Sequence, residues 1–196
     1  SSPPFLKAKA ALIRSSRSVG PSSSEYRYVE VERFDGRKGK ESLFSRPSAV
    51  VPRPDGSLLV VAHGSNELVT LDVSGVVRER SRGGLAGFDR PFGAAYLPDG
   101  TLFVTEFNGD RVSRIAPGGE VAVFGAKGRG PGGLIGPEYA AVDSEGYLYV
   151  VDFGNARVCK YDDAGAPVLA FGTKEPAGGF PGFSSPTGIL ASGGIL

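Results

Sequence analysis

The chain has 196 residues, 40% apolar and 22% charged, with a formal net charge of +1. That suits one domain of ordinary size with a buried core, and it excludes a nucleic-acid binder that works by bulk positive charge. Gly (30) and Pro (15) are too frequent for a helical bundle, and the lone Cys and lone His exclude an internal disulfide, a thiolate zinc cage and any site needing two imidazoles from these residues.

The first 27 residues stand apart. Residues 1–24 carry Lys7, Lys9, Arg14 and Arg17 and no acid. This Ser-rich stretch reads as a disordered leader or linker, and its composition is also that of an organelle transit peptide. The sequence contains no Met, so the expectation is a processed or partial chain. A single cysteine favours an intracellular setting over a disulfide-built secreted one. No apolar run approaches the roughly 18 residues a spanning helix needs, so no membrane span is expected.

From residue 28 onward the chain repeats. The turns Pro54-Asp55-Gly56, Pro98-Asp99-Gly100 and Ser144-Glu145-Gly146 are spaced by 44 and then 46 residues. Each leads into an apolar run (57–62, 101–106, 147–152), then a second strand-like stretch (67–72, 111–116, 157–162), a second turn and a third stretch (76–81, 120–125, 167–172). A Gly-rich loop then reaches a recurring Pro (Pro47, Pro91, Pro137, Pro186), followed by a short run of small apolar residues. Each period therefore holds four short strands joined by tight turns. Such a meander cannot hide two apolar faces alone and must stack on copies of itself, and radial stacking makes a β-propeller.

The segment 142–189 resembles an NHL repeat: Asp143-x-x-Gly146-x-Leu148-Tyr149-Val150-x-Asp152, Gly154-Asn155-x-Arg157-Val158, then Phe171-Gly172 and a Gly-rich loop to Pro186. Residues 91–136 are similar, through Pro91-Phe92-Gly93, Asp110-Arg111-Val112 and Phe124-Gly125. Residues 47–90 depart from the pattern, with Glu67 in place of the Arg and no Phe-Gly. NHL propellers are six-bladed, so the resemblance implies an all-β, incomplete propeller of about half a ring, made of four-stranded antiparallel blades. The expected blades span about 47–90, 91–136 and 137–185, with an orphan strand at 28–34 and a truncated blade at 186–196. The orphan strand follows from 33–47 aligning with 123–137 at an offset of 90, matching Phe34, Phe44 and Pro47 to Phe124, Leu134 and Pro137.

The resemblance implies a non-catalytic binding scaffold whose partner, a protein first and RNA as a third reading, sits on the loop face. The rival is a fragment of a propeller hydrolase or lyase, lactonase-like or amidating-lyase-like. The open flanks would meet the remaining blades or a second copy. Candidate binding residues come from the loops after the second strands and between blades: Phe107, Asn108, Arg111, Lys127, Arg129, Phe153, Asn155 and Arg157. No catalytic residue, metal or cofactor is assigned. Arg111 and Arg157 hold equal repeat positions, which suits either a brace on a neighbouring carboxylate or carbonyl, or a ligand contact. Phe107 and Phe153 would anchor a partner if exposed and pack between blades if buried. Glu106 and Asp152 would serve as calcium ligands or as turn caps. Gly128–Gly133 matches GxGxxG but precedes a strand, which no dinucleotide fold does. His63 reads as a surface loop residue, and Cys159 as a small core residue.

Overall fold

The computed structural model describes residues 37–38, 41–172 and 182–191. The leader 1–27 and the expected strand 28–34 lie outside the described residues, as do residues 192–196 of the expected last blade. A short ribbon, β1 (Arg37–Lys38) with β2 (Glu41–Ser42), precedes three four-stranded sheets. The first sheet holds β3 (Pro47–Pro52), β4 (Leu58–Ala62), β5 (Glu67–Leu71) and β6 (Val77–Ser81). The second holds β7 (Pro91–Tyr96), β8 (Leu102–Glu106), β9 (Arg111–Ile115) and β10 (Val121–Phe124). A two-stranded parallel pair, β11 (Ala126–Lys127) with β12 (Gly133–Leu134), closes the following loop. The third sheet holds β13 (Pro137–Val142), β14 (Leu148–Asp152), β15 (Arg157–Tyr161) and β16 (Pro167–Phe171). Within each sheet every strand pairs antiparallel with its chain neighbour, as the repeat predicts.

The hairpins joining first to second and third to fourth strands share one geometry. In each, the fourth turn residue is a glycine at positive φ: Gly56 (81°), Gly75 (76°), Gly100 (91°), Gly119 (87°), Gly146 (89°) and Gly165 (89°). An L side chain there would be strained, which is why the turn glycine is the most regular mark of the repeat. Aspartates reinforce these turns. Asp72 accepts from the Ser74 N–H and hydroxyl and the Val76 N–H, Asp55 from Ser57, and Asp99 from Thr101.

Those hydrogen bonds favour the ionised carboxylates. They hold Asp55 and Asp99 below the usual carboxylate value and Asp72 down to about 2. A lowered folded value gives stability that is present above the unfolded pKa and is lost as pH falls through the folded one. Urea midpoints should therefore decline between about pH 4 and pH 2, and Asp72→Asn should flatten that decline. A midpoint constant across this interval would contradict the role of these turns.

The first strand of each sheet is innermost: β7 packs between β3 and β13. Two apolar cores fill the seams. Leu59, Val61, Leu68, Phe88, Leu102 and Val104 lie between the first and second sheets, and Phe103, Val112, Leu134, Leu148, Val150 and Tyr161 between the second and third. Cys159 is buried in the latter core, and burial pushes its thiol up to about 11. Phe88 and Leu134, each three residues before the recurring Pro, are the inter-blade loops' own contribution to these seams.

A polar catch repeats beside the cores. Asn66 Oδ1 accepts the Arg90 N–H at 2.9 Å, and Asp110 Oδ1 accepts the Gly136 N–H at 2.8 Å. Each ties the turn of one blade to the residue that opens the next. Asn66, Asp110 and Ala156 occupy the same repeat position and share a left-handed φ of 53°, 51° and 52°. Asn and Asp tolerate that conformation better than other side chains, and Ala156 brings neither the tolerance nor an acceptor.

Candidate functional site

The inner strands begin two or three residues earlier than the apolar runs suggest, at the Pro itself. Pro47 pairs with Ala62, Pro91 with Glu106 and Pro137 with Asp152, and each pairing is followed by a register shift of one residue. Pro is compatible with a strand's first position, and the bulge after it re-aims the next two side chains. Those two columns are Ser48, Phe92 and Glu138, then Ala49, Gly93 and Tyr139.

Phe92 is the centre of the resulting cluster at the loop end of the inner strands. Its ring meets His63 edge-on at 5.5 Å, Tyr139 edge-on at 5.4 Å and Phe107 at 5.9 Å. The Arg90 guanidinium lies 5.9 Å from the Phe107 ring and 3.3 Å from His63 Nε2. Tyr139 reaches across to donate to the Ser48 carbonyl at 3.3 Å, and the Ser48 hydroxyl donates to the Phe92 carbonyl at 2.6 Å. His63 is half-buried rather than a surface residue. Burial, then Arg90 and Arg46, push its pKa down, so its neutral form is favoured, and its Nδ1 is buried without a partner among the described residues.

Beneath the cluster, Thr105 is fully buried and bridges two inner strands. Its hydroxyl accepts the Gly93 N–H at 2.8 Å and donates to the Glu138 carbonyl. Gly93 permits this approach, since a Cβ there would stand 2.5 Å from the Glu138 oxygen. Glu138 itself is buried, and no donor or cation pairs with its carboxylate among the described residues. Burial pushes its pKa up.

The carboxylates at the ends of the second strands are engaged differently. Glu106 accepts from the Asp89 N–H at 2.7 Å, Ser113 at 2.6 Å and Arg111 at 2.9 Å. Asp152 accepts from the Ile135 N–H at 2.7 Å, Asn155 at 2.7 Å and Arg157 at 2.8 Å. Both arginines also hold loop carbonyls: Arg111 that of Gly87, and Arg157 those of Arg129, Gly130 and Gly133. The first sheet reverses the polarity. Buried Glu67, standing where the arginine stands in the other sheets, pairs with Arg80 at 2.7 Å, and Arg80 holds the Leu43 carbonyl. Three braces of one design thus pin each inter-blade loop to the blade that follows it.

The expected binding residues therefore divide. Arg111, Arg157 and Asn155, which also holds the Gly128 carbonyl, point inward as braces. Phe107 belongs to the aromatic cluster, and Phe153, its repeat counterpart, is also half-buried. Asn108, Lys127 and Arg129 are exposed on the loop face, with Lys127 3.5 Å from Asp110. Sequence reasoning did not single out Phe92, Tyr139, Arg90, Glu138 or Thr105. No group of three or more His, Cys, Asp or Glu able to hold a metal occurs among the described residues. No described helix is long and apolar enough to cross a membrane.

No protein-family profile and no curated protein matches the chain. Solved structures do. A catalytically inactive virginiamycin B lyase from Staphylococcus aureus with quinupristin matches at 20% identity and a TM-score of 0.55, over 69% of this chain and 44% of that one. A gluconolactonase from Xanthomonas campestris matches at 20% identity and a TM-score of 0.55, over 76% and 52%. A nidogen/laminin complex matches at 18% identity and a TM-score of 0.53, over 65% and 48%. These are β-propeller proteins.

The fold is a partial β-propeller. The chain spans about half the length of the propellers it matches, and the likeness concerns architecture alone. Lyase, lactonase and protein-binding assemblies all occur on this propeller fold, so activity has to be argued from the site.

Proposed function

We propose that the chain is part of an NHL-type propeller that works as a binding scaffold, engaging a protein partner at the aromatic mouth of its loop face. The observation that carries this reading is the cluster of His63, Arg90, Phe92, Phe107 and Tyr139, whose rings lie 5.4–5.9 Å apart. Aromatic and arginine side chains gathered at the end of a rigid scaffold are the composition of an interface hot spot. The strand-end acids suited to chemistry, Glu106 and Asp152, are fully buried and spent on loop amides and arginines. The same braces argue against RNA, since Arg111 and Arg157 turn inward and leave Lys127 and Arg129 as the exposed cations of the expected set.

The third blade continues the design. Tyr149, Val151 and Val158 repeat the positions by which Phe103, Thr105 and Val112 meet their neighbour, and they too are buried. A hydrolase or lyase reading would rest on His63, whose buried Nδ1 has no partner among the described residues and whose Nε2 lies 3.3 Å from Arg90.

Affinity capture on the immobilised chain, compared with Phe107→Ala and Arg90→Ala, tests the proposal. Proteins retained by the parent chain should be lost from both variants while circular dichroism stays unchanged. Retention of the same proteins by all three would overturn it.

A further inference from the structure

Glu138 is the acid of the cluster. Its residue exposure is 8%, no donor or cation pairs with its carboxylate among the described residues, and its oxygens are not sealed from solvent. An unpaired carboxylate at a narrow solvent opening is placed to meet a cation arriving from outside.

Its surroundings follow from the repeat. Glu138 holds the position of Phe92, whose ring lies between His63 of the preceding blade and Phe107 of its own. The same register assigns Glu138 to the gap between Phe107 and Phe153. Both loops close on that segment. Phe107 ring atoms come within 3.1 Å of where a Cβ on Gly136 would stand, and the Gly154 N–H donates to the Ile135 carbonyl at 2.8 Å.

We propose that Glu138, Phe107 and Phe153 form a receptacle for an alkylammonium group, the lysine side chain of the protein that docks on the loop face. This rests on the partner reading above. The faces of phenyl rings attract ammonium groups, and a buried carboxylate completes the counter-charge. A compact ammonium suits one carboxylate between two rings, whereas a planar guanidinium gains most from bidentate pairing and stacking. Arg90 already lies over the Phe107 ring. A calcium ion would want six or more oxygen ligands, and no group of three acidic, His or Cys side chains gathers among the described residues.

The test titrates the full chain with Nα-acetyl-lysine methylamide, observed by NMR, beside its Nε-acetylated counterpart and calcium chloride. The lysine probe should bind, and the acetylated probe should bind at least about tenfold more weakly. Glu138→Gln should weaken the lysine probe by a similar factor and leave Tm near the parent value, because the carboxylate it replaces has no partner among the described residues. Absence of lysine binding to the parent chain, equal binding by Glu138→Gln, equal binding of the acetylated probe, or calcium binding that excludes lysine would each overturn the receptacle. So would failure of Glu138→Gln to fold, which would make the residue structural. If the lysine probe binds as expected while captured proteins are indifferent to Phe107→Ala, the receptacle stands and the protein-partner reading falls.

Discussion

Replacing Asp152 with Ala is expected to destabilise the chain by about 3–5 kcal/mol, the cost of removing one partner from a buried charge pair. The carboxylate is fully buried, and the Arg157 side chain opposite it is only 15% exposed. Its loss would strand the Arg157 Nε and the Ile135 N–H at once and leave the Asn155 amide with the Gly128 carbonyl alone. The Arg157 Nε and the Ile135 N–H would forfeit a partner inside a buried site, which is dearer than never having made the bond. Urea denaturation of the parent and variant measures the difference. Asp152→Ala combined with Arg157→Met should recover part of the loss, because the second change removes the orphaned cation. A cost below about 1 kcal/mol would mean that the brace is solvent-screened like a surface pair.

The second large effect is expected at Gly93. Adding one methyl, Gly93→Ala, should cost about 3 kcal/mol, at the upper end for overpacking. The new Cβ would stand 2.5 Å from the Glu138 carbonyl oxygen and 2.8 Å from the Tyr139 Cα. Both obstacles are backbone, so neither can rotate away, and relief requires β7 and β13 to separate. Separation would also break the Thr105 bridge. Thermal unfolding should show the loss, and the Thr105→Val variant should make Gly93→Ala less costly, because the bridge it disrupts is already gone. An unchanged Tm in Gly93→Ala would show that the inner strands are free to shift.

The architecture was legible because its most constrained positions are also its most regular. A turn that demands positive φ admits glycine six times over, and the apolar runs of the second strands need cover on both faces. The braces were half legible. Arg111 and Arg157 stand out by spacing, but Glu67 with Arg80 does the same work with the charges exchanged across a strand pair, and residue matching does not see through that exchange. The mouth was hidden by the bulge after each Pro, since one extra residue in a ladder has no signature of its own. A signal was present nevertheless. The columns Ser48, Phe92, Glu138 and Ala49, Gly93, Tyr139 vary from blade to blade beside an unvarying Pro. In an array of near copies, the positions that refuse to match are the ones with individual tasks.

Ala156 closes the account of how the blades are joined. At two stations a side-chain oxygen clasps the amide that opens the following blade, and at the third a methyl group stands in that place. A neighbour on the far side of the third blade would lack that side-chain clasp, at a residue whose own backbone is under tension. Of the three equivalent stations, two are riveted and one is bare, so local opening should begin at the bare one.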